Sequence, residues 1–421
     1  MTNTLAPNVE LANQVIVEAR TFGILHHSIQ NHTSDGTNLL VNGRKMVHFG
    51  NCGYLALAND PRLKAAAIDA IERYGISLPC SRTYASYSYH EEAEALLQQI
   101  FGKPTIISQN TTHAHMAAIP VITRRGDAIL IDQQAHTSVH NATANAHSAG
   151  VYVEMVRHNR MDMLESRLKK IYDTYERIWF MTDGIFSMFG DVVPLDELLE
   201  LCKKYPKLHL YIDDAHGMSW TGAHGKGYTL ERLPNFHERL VLVTSLGKGF
   251  GATGAAIVLP NEELKEVILN VGPTLMFSTP IMPAGLAAIV ASAKIHLTAE
   301  ITERQARLHQ LMSYFSITAK SLRLPLVNQD RTPIYFVGVG KPQSGMIIAQ
   351  QMIKAGYMIS PSAFPSVPYN STGIRTNLTI QHTEQDIYGM LTTLAGIIED
   401  LERKNRLSRV AIQKAFPLAQ C

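Results

Sequence analysis

The sequence predicts an α/β protein with a large domain built on a mostly parallel β-sheet and a smaller C-terminal α/β domain. Between about residues 91 and 260, short apolar runs rich in β-formers alternate with amphipathic helical patterns. Such alternation requires crossover connections, which cover both faces of a parallel sheet with helices. A shorter α/β series follows near the C-terminus, and 421 residues exceed what one hydrophobic core normally organises.

The predicted elements divide the chain into three consecutive parts. Residues 1–50 are predicted as an N-terminal helix and a hairpin that turns at Asn42-Gly43, residues 51–290 as the large domain and residues 291–421 as the smaller domain. The strands predicted in the large domain are 105–108, 128–132, 151–156, 178–183, 208–213, 240–245 and 255–259. The helices predicted before and between them include 90–102, 162–173 and 194–206. A long helical stretch, 283–322, leads to the smaller domain, whose predicted elements are strands 334–339, 357–360 and 374–379 and helices 344–355 and 384–403.

The composition is that of a folded protein with no electrostatic preference for polyanions. Hydrophobic residues make up 46% of the chain and charged residues 18%, which argues against a disordered or fibrous chain. A net charge of +2 gives no reason to expect nucleic acid or an anionic membrane as a partner. No apolar run reaches the roughly 20 residues of a spanning helix, and the first residues do not form a signal-peptide pattern. We therefore expect a cytoplasmic protein with no metal site, whose cysteines are reduced thiols: Cys52, Cys80, Cys202 and Cys421.

Two predicted strands end in residues that suit the same chemistry. Asp213 ends the apolar run LHLYI, and Lys248 follows the run LVLVT in the glycine-rich segment SLGKGFG. Ligands bind at such strand ends in open parallel sheets. Taken alone, Asp213 is also compatible with a helix cap and Lys248 with a solvated turn. Together they match the needs of pyridoxal 5′-phosphate, which requires a lysine amine and a buried carboxylate against its ring nitrogen.

The segments around these residues resemble the α-oxoamine synthases, which are fold-type-I pyridoxal-phosphate transferases. The run YIDDAHG at 211–217 with GAHGKG at 222–227, and SLGKGFG at 245–251, carry the resemblance. Further matches, in the order the family has them between about residues 50 and 400, are YL at 54–55, NDP at 59–61, TDGIFSM at 182–188, FSTP at 277–280 and IRTNL at 374–378. The resemblance implies the fold-type-I fold and a cofactor bound as a Schiff base on Lys248.

The resemblance also implies roles around the cofactor ring. His136 corresponds to the family histidine that stacks on the ring; the alternative for this segment is a hydrogen-bonded histidine in a turn. Asp213 corresponds to the partner of the ring nitrogen, and His216 lies in position to reach the phenolic oxygen. Asp183 and Ser187 match positions near the ring, and Asp183 is also compatible with a turn cap.

The resemblance implies further contacts to the phosphate and to the substrate. Thr111 and Thr112 stand where the family has a Ser-Gly-aromatic triplet, so backbone N–H groups and hydroxyls are expected to bind the phosphate together with Ser245. Thr279 matches a residue that reaches the phosphate of the neighbouring subunit, which implies a homodimer with shared active sites. Arg375 is the candidate for binding the amino-acid carboxylate, because a guanidinium meets a carboxylate with two parallel bonds.

Two departures from the family pattern fall where a substrate would bind. Gly53, preceded by Cys52, stands in place of the usual asparagine before the Tyr-Leu pair, and SLPCSR at 77–82 stands in place of a glycine-rich segment. We expect Gly53 to open space near the amino acid and the Leu-Pro pair to reshape the neighbouring wall. The departures predict a substrate pocket unlike that of the best-known members.

The activity implied is a decarboxylative Claisen condensation of an amino acid with an acyl thioester, which yields an α-amino ketone. Coenzyme A or an acyl carrier protein would present the acyl group. Another fold-type-I activity, such as an aminotransferase, aldolase or decarboxylase, uses the same Asp213 and Lys248 and stays an alternative. A catalytically inactive partner subunit is a second alternative, against which the presence of Lys248 argues, because such partners in the family lack this lysine.

Overall fold

The computed structural model describes residues 6–32, 37–233, 235–328 and 330–416. The strands are β1 (Ile29–His32), β2 (Asn38–Val41), β3 (Arg44–His48), β4 (Thr105–Ser108), β5 (Ala128–Asp132), β6 (Tyr152–Val156), β7 (Ile178–Asp183), β8 (Leu208–Asp213), β9 (Leu240–Ser245), β10 (Ala255–Val258), β11 (Ile334–Gly340), β12 (Tyr357–Met358), β13 (Ser360–Ser362) and β14 (Thr372–Asn377). The helices are α1 (Pro7–Thr21), α2 (Pro61–Tyr74), α3 (Ser88–Phe101), α4 (Thr111–Ile122), α5 (Thr137–Ser148), α6 (Met161–Ile171), α7 (Leu195–Lys204), α8 (Tyr228–Arg232), α9 (Glu262–Val271), α10 (Pro273–Met276), α11 (Pro283–His296), α12 (Glu300–Ser321), α13 (Pro342–Lys354), α14 (Glu384–Arg403) and α15 (Arg409–Ala415).

A seven-stranded sheet in the order β4-β10-β9-β8-β7-β5-β6 forms the centre of the larger part of the chain. The pairs β9-β8, β8-β7, β7-β5 and β5-β6 are parallel, while β10 is antiparallel to both of its neighbours. The predicted mostly parallel sheet is therefore confirmed, including the bounds of five of its strands. In the β7-β8 register Asp183 lies opposite Asp213, so two carboxylates meet at the same edge of the sheet.

Apolar side chains on both faces explain why these runs become internal strands. Every residue of β5, β7 and β9 is buried, as expected for strands with helices against the sheet. Helices α4 and α5 contribute alanines and aliphatic residues to a core with the sheet residues Ile129, Met181 and Val243. Full burial of one such side chain stabilises the fold by about 1.5–3 kcal/mol. This core holds the strand ends at fixed positions.

Contacts group the described chain into two compact units. Unit 1 comprises residues 1–56, 187–191 and 306–421, and unit 2 comprises 57–186 and 192–305. Unit 1 contains the sheets β1-β2-β3-β12 and β11-β14-β13, and unit 2 contains the seven-stranded sheet. The N-terminal hairpin belongs with the C-terminal residues because β3 pairs in parallel with β12. The three consecutive domains expected from the sequence stay a prediction, while the contact units join segments distant in the chain.

Two elements differ from those predicted. The helical stretch expected over 283–322 is two helices, α11 and α12, because Thr298 Oγ1 donates to the carbonyl of Ile295 at 2.7 Å and Glu300 starts a new helix beside Arg304. The strand expected over 357–360 is two strands, since β12 pairs with β3 while β13 pairs with β14.

Within the described ranges, no single helix is long and apolar enough to cross a membrane. Helices α11 and α12 reach the length and hydropathy of a membrane span only as a pair, and the pair is bent by 83° at the break between them. Most residues of α11 are buried inside the protein.

A first prediction concerns the glycines that flank Lys248. Gly251 has a φ of +77°, and a Cβ atom added to it would lie 2.6 Å from the backbone nitrogen of Ala58. We expect Gly251→Ala to lower the free energy of unfolding by about 2–4 kcal/mol, because it adds both strain and overlap. Gly247→Ala is the matched control, since its added Cβ meets Ser245 Oγ at 3.6 Å. Urea unfolding measures both; equal stabilities of the two variants would contradict the prediction.

Candidate active site

Lys248 lies in a tight loop after β9, and its amine contacts a histidine. The Lys248 Nζ is 2.9 Å from His216 Nε2. The loop is closed by the backbone N–H of Gly251, which donates to the carbonyl of Lys248 at 3.0 Å, and by the N–H of Gly247, which donates to Ser245 Oγ at 3.1 Å. The structure therefore brings together Lys248, His216 and Ser245, three of the residues predicted to hold the cofactor.

A buried chain of hydrogen bonds ends at Asp213. His115 Nε2 is 3.0 Å from Asp213 Oδ2, and His115 Nδ1 is 2.8 Å from the hydroxyl of Tyr211. All three side chains are at most 4% exposed. The arrangement that satisfies every atom has the Tyr211 hydroxyl donating to Nδ1 and Nε2–H donating to the carboxylate. The backbone N–H of Ala215 donates to the other oxygen of Asp213 at 3.0 Å.

These surroundings push the pKa values of two facing carboxyl groups apart. Burial alone would raise the pKa of Asp213, but the hydrogen bond from His115, with further electrostatic contributions from His115, Lys248 and His136, outweighs burial and lowers that pKa. Burial raises the pKa of Asp183 well above its usual value, and the negative charge of Asp213 adds to the rise. Because two such carboxyl groups do not both ionise readily, Asp213 is the ionised member and Asp183 the neutral one.

His136 stands at the start of α5, beside the same carboxyl groups. Its backbone N–H donates to Asp183 Oδ1 at 3.0 Å, and its Nδ1 is 2.6 Å from Ser138 Oγ. The pKa of His136 is lowered mainly because neighbouring protein displaces water from the ring, with the charge of Lys248 as a further cause. A neutral imidazole therefore lies within electrostatic range of Asp213 and Lys248. Its predicted stacking role stays a prediction.

The residues predicted to bind the phosphate lie at the N-terminus of α4 and after β9. Thr111 and Thr112 open this helix, and the Asn110 side chain caps it by accepting from the N–H of His113 at 2.9 Å. Such an end presents N–H donors and the positive end of the helix dipole to an anion. Thr279 is exposed, and its carbonyl accepts from Gln109 Nε2 at 3.1 Å, one residue before the cap.

Asp214, the neighbour of Asp213, has a structural setting of its own. Its carboxylate accepts from the N–H of Thr229 at 2.8 Å, while its Oδ1 has no hydrogen-bond partner in the described chain. Added Cβ atoms at Gly184 and Gly227 would lie 2.5 and 2.7 Å from its carboxylate oxygens, and one at Gly217 would also overlap it. Burial raises the pKa of Asp214 to about 7. The glycines of the DDAHG and GKG motifs thus leave room for this side chain.

Arg375 and Ser187 come together in unit 1. The Arg375 Nε donates to the carbonyl of Ser187 at 2.6 Å, and Arg375 Nη2 lies 3.7 Å from Cys52 Sγ. Gly53 follows Cys52 in the chain, and an added Cβ there would meet Asn51 Oδ1 at 3.1 Å. The space expected at Gly53 is therefore partly taken by the Asn51 amide. In the described part of the chain the cysteines, Cys52, Cys80 and Cys202, are free thiols, and Cys421 lies outside the described residues.

The segment SLPCSR at 77–82, the second departure from the family pattern, is anchored within unit 2. Ser81 Oγ donates to the carbonyl of Met276 at 2.6 Å, and Arg82 forms an ion pair of 2.7 Å with Glu94. The Glu94 carboxylate also accepts from the N–H of Ile107 in β4 at 3.0 Å. These bonds tie the segment to the sheet and to the residues just before Thr279.

Sequence reasoning missed His115 as a member of the site. His115 lies four residues after Thr111 on α4, so the two residues are on the same face of the helix, one turn apart. Its sequence context, an alanine-rich helix, is that of a core position and gives no sign of a charge partner. The available hint was the HAH pattern at 113–115 in an otherwise apolar helix. A histidine that such a helix buries needs hydrogen-bond partners, which points to a polar group beside it.

Comparisons with known proteins identify the family of the chain. The model of a family described as aminotransferase class I and II matches residues 45–393. The chain belongs to this family. It is 31% identical over 352 residues to an 8-amino-7-oxononanoate synthase of Alkaliphilus metalliredigens, covering 83% of this chain and 87% of that protein. It is 33% identical over 360 residues to the enzyme of that name from Fervidobacterium nodosum, covering 84% and 88%. The resemblance to the α-oxoamine synthases is thereby confirmed.

Solved structures of this class share the fold. A serine palmitoyltransferase of Sphingomonas wittichii superposes with a TM-score of 0.85 at 21% identity and covers 94% of this chain and 100% of that one. The 8-amino-7-oxononanoate synthase of Francisella tularensis superposes with a TM-score of 0.70 at 21% identity, covering 86% and 99%. The fold-type-I prediction is therefore confirmed.

The residues of this α-oxoamine synthase fit pyridoxal phosphate, the cofactor of its class. The fit rests on the donor set within unit 2: an amine on Lys248, an ionised buried carboxylate on Asp213 and a helix N-terminus at Thr111. An ionised carboxylate suits a protonated ring nitrogen, and N–H donors suit a phosphate.

A second prediction follows from the raised pKa of Asp214. The folded protein holds this proton to a higher pH than the unfolded chain, whose aspartate titrates near 3.8, so the free energy of unfolding falls as pH rises from about 4 to about 7. Asp214→Asn keeps an acceptor for Thr229 and should remove on the order of 3 kcal/mol of the decline between about pH 5 and about pH 8. Urea unfolding at about pH 5 and about pH 8 measures it. Parallel pH profiles for the variant and the wild type would refute the assignment.

Proposed function

We propose that this protein catalyses the decarboxylative condensation of an amino acid with an acyl thioester, giving an α-amino ketone. The observation that carries the proposal is that the ionised Asp213 and the Lys248 amine, which contacts His216, lie at the ends of adjacent parallel strands. Relatives that are 31% and 33% identical over more than four-fifths of the chain are named 8-amino-7-oxononanoate synthase, which supports an acyl-transfer activity of this kind.

Lys248 has two duties in this proposal. Its amine attaches pyridoxal phosphate, which supplies an electron sink for the bonds broken at the substrate Cα when bound. With the amino acid bound, the same amine would serve as the base that takes the proton from Cα, a role that typically accelerates a step by 10²–10⁴-fold. His216, 2.9 Å from Nζ, orients the amine and accepts a proton from it.

Asp213 and its partners keep a proton on the ring nitrogen. The carboxylate stays ionised because His115 donates to it, and an ionised carboxylate beside that nitrogen favours the protonated ring. His115 is in turn held by Tyr211. Neutral Asp183 accepts from the N–H of His136 and so fixes the start of α5, where the His136 imidazole would stack on the ring of the bound cofactor.

Arg375 is proposed to bind the carboxylate of the amino acid. Within the described residues its guanidinium has no carboxylate partner, and its bonds go to the neutral acceptors Ser187 O and Cys52 Sγ. Thr111, Thr112 and Ser245 are proposed as phosphate contacts. Coenzyme A or a carrier protein is proposed to present the acyl group.

We further propose a cytoplasmic homodimer with shared active sites. Four large apolar side chains on neighbouring loops of unit 2 are strongly exposed: Ile76 at 67%, Tyr84 at 86%, Phe277 at 80% and Met282 at 52%. A bond from Ser81 Oγ to the carbonyl of Met276 holds these loops together. Clustered exposed apolar residues are typical of interfaces, and Thr279 lies among them. Free thiols at the described cysteines support a reducing compartment.

The activity is tested with Lys248→Ala, assayed against a panel of amino acids and acyl-CoA thioesters for release of free thiol and carbon dioxide. We expect the variant to lose more than about 100-fold of the activity, because it removes the Cα base. It should also lose the visible absorbance that the wild type shows after addition of pyridoxal phosphate. Lys226→Ala, which changes another lysine of a glycine-rich motif, is the control and should behave like the wild type.

Other reactions of the family give different results in that assay. Amino-group transfer to a 2-oxo acid without thiol release would favour an aminotransferase. Carbon dioxide release without acyl-CoA would favour a decarboxylase. A visible band that survives in Lys248→Ala would contradict the assignment of the lysine itself.

The proposed dimer is tested with Phe277→Asp by sedimentation velocity over a range of concentrations. A charged residue in the centre of an interface should raise the dissociation constant by about 30-fold or more, as for a typical hot-spot residue. Val410→Asp, at an apolar residue in α15 that is 79% exposed, is the matched control. A wild type that sediments as a monomer, or a Phe277→Asp variant that dimerises like the control, would be the contrary result.

A further inference from the structure

Three side chains of unit 1 converge on the sulfur of Cys52. Asn377 Nδ2 donates to Sγ at 3.4 Å, and Arg375 Nη2 approaches it at 3.7 Å. The hydroxyl of Tyr54, which is fully buried, also hydrogen-bonds with Cys52. All three partners are donors, so the sulfur acts as a common acceptor for a guanidinium, an amide and a phenol.

Backbone pairing holds this cluster, which we call the Cys52 cluster (Cys52, Tyr54, Arg375 and Asn377). The N–H of Asn377 donates to the carbonyl of Phe49 at 2.7 Å, and the N–H of Ile380 donates to the carbonyl of Tyr54 at 2.9 Å. Asn377 Nδ2 also reaches the carbonyl of Gly50 at 3.2 Å. The segment that carries Cys52 is therefore fixed against β14, the strand that carries Arg375.

The Cys52 cluster contains one full positive charge with only neutral acceptors beside it. Arg375 is half-buried, and within the described ranges its hydrogen bonds go to a carbonyl and a thiol. A guanidinium has five N–H donors, so most of them stay available to a ligand. The Oδ1 of the fully buried Asn377 likewise lacks a partner in the described chain. The cluster is thus polar, cationic and incompletely paired.

We propose that Cys52 is a positioning residue, which aims the Arg375 guanidinium at the substrate carboxylate and determines how strongly that carboxylate is bound. The inference rests on the proposed function and adds a residue to it. Sulfur is a weak, neutral acceptor, so it fixes one edge of the guanidinium without neutralising its charge. A carboxylate at this position would pair with Arg375 and compete with the substrate, and an alanine would leave the guanidinium without its lateral contact.

Three variants of one position test this in the assay of thiol release, with glycine, L-alanine and L-serine as the probes. Cys52→Ala should raise KM for the amino acid by about 10-fold with kcat within about 2-fold, since it removes a contact that serves binding. Cys52→Ser keeps an acceptor and should recover most of that loss. Cys52→Asp should raise KM further, to about 100-fold above the wild-type value, because the new carboxylate pairs with the Arg375 guanidinium. Cys202→Ala, which removes the thiol of a cysteine on α7, is the control for loss of a thiol elsewhere in the protein.

The contrary outcomes are distinct. A Cys52→Ala enzyme with wild-type KM, or a Cys52→Ser enzyme as weak as Cys52→Ala, would overturn the positioning role while leaving the proposed function intact. A wild type inactive with all three probes would count against the proposed function as tested. In that case the crystal structure of Cys52→Ala decides: a guanidinium displaced by about 1 Å or more supports the inference, and an unmoved one overturns it.

Discussion

The hydrogen bond from His115 to Asp213 is the interaction on which the proposed chemistry depends. A carboxylate buried at the end of a strand would ordinarily take up a proton, because desolvation penalises its charge. His115, held by Tyr211, reverses that preference for Asp213 and leaves the facing Asp183 as the neutral partner. His115 thus makes the largest contribution to keeping Asp213 ionised, which is the state that the proposed contact with a protonated ring nitrogen requires.

The parallel register of the central sheet turns separate motifs into one site. Strands β7, β8 and β9 end at the same edge, so Asp183, Asp213 and the loop of Lys248 meet there although each follows a different helix. The glycines around Asp214 fit the same picture, because their missing side chains allow the turn after β8 to pack closely. The glycines of these motifs take no part in the chemistry, but they allow the close packing that holds the reactive side chains in position.

The Cys52 cluster gives the proposed substrate contact a physical basis in unit 1. A guanidinium surrounded by neutral acceptors keeps its charge for a ligand, whereas one paired with an acidic side chain would not. The segment expected to depart from the family pattern sets both the space at Gly53 and the acceptor beside Arg375. Substrate choice among relatives with the same cofactor chemistry is expected to depend on such local substitutions.

The sequence by itself determined the class of fold, the ends of the main strands, and the lysine and aspartate of the site. These features are local: apolar runs of fixed length, turns that need glycine, and motifs that carry family resemblance. Only the tertiary structure decided which residues support them. His115 and Asp213 are 98 positions apart, and Cys52 and Arg375 are 323 apart. Such partners are chosen by packing between distant segments, which no periodicity within either segment encodes.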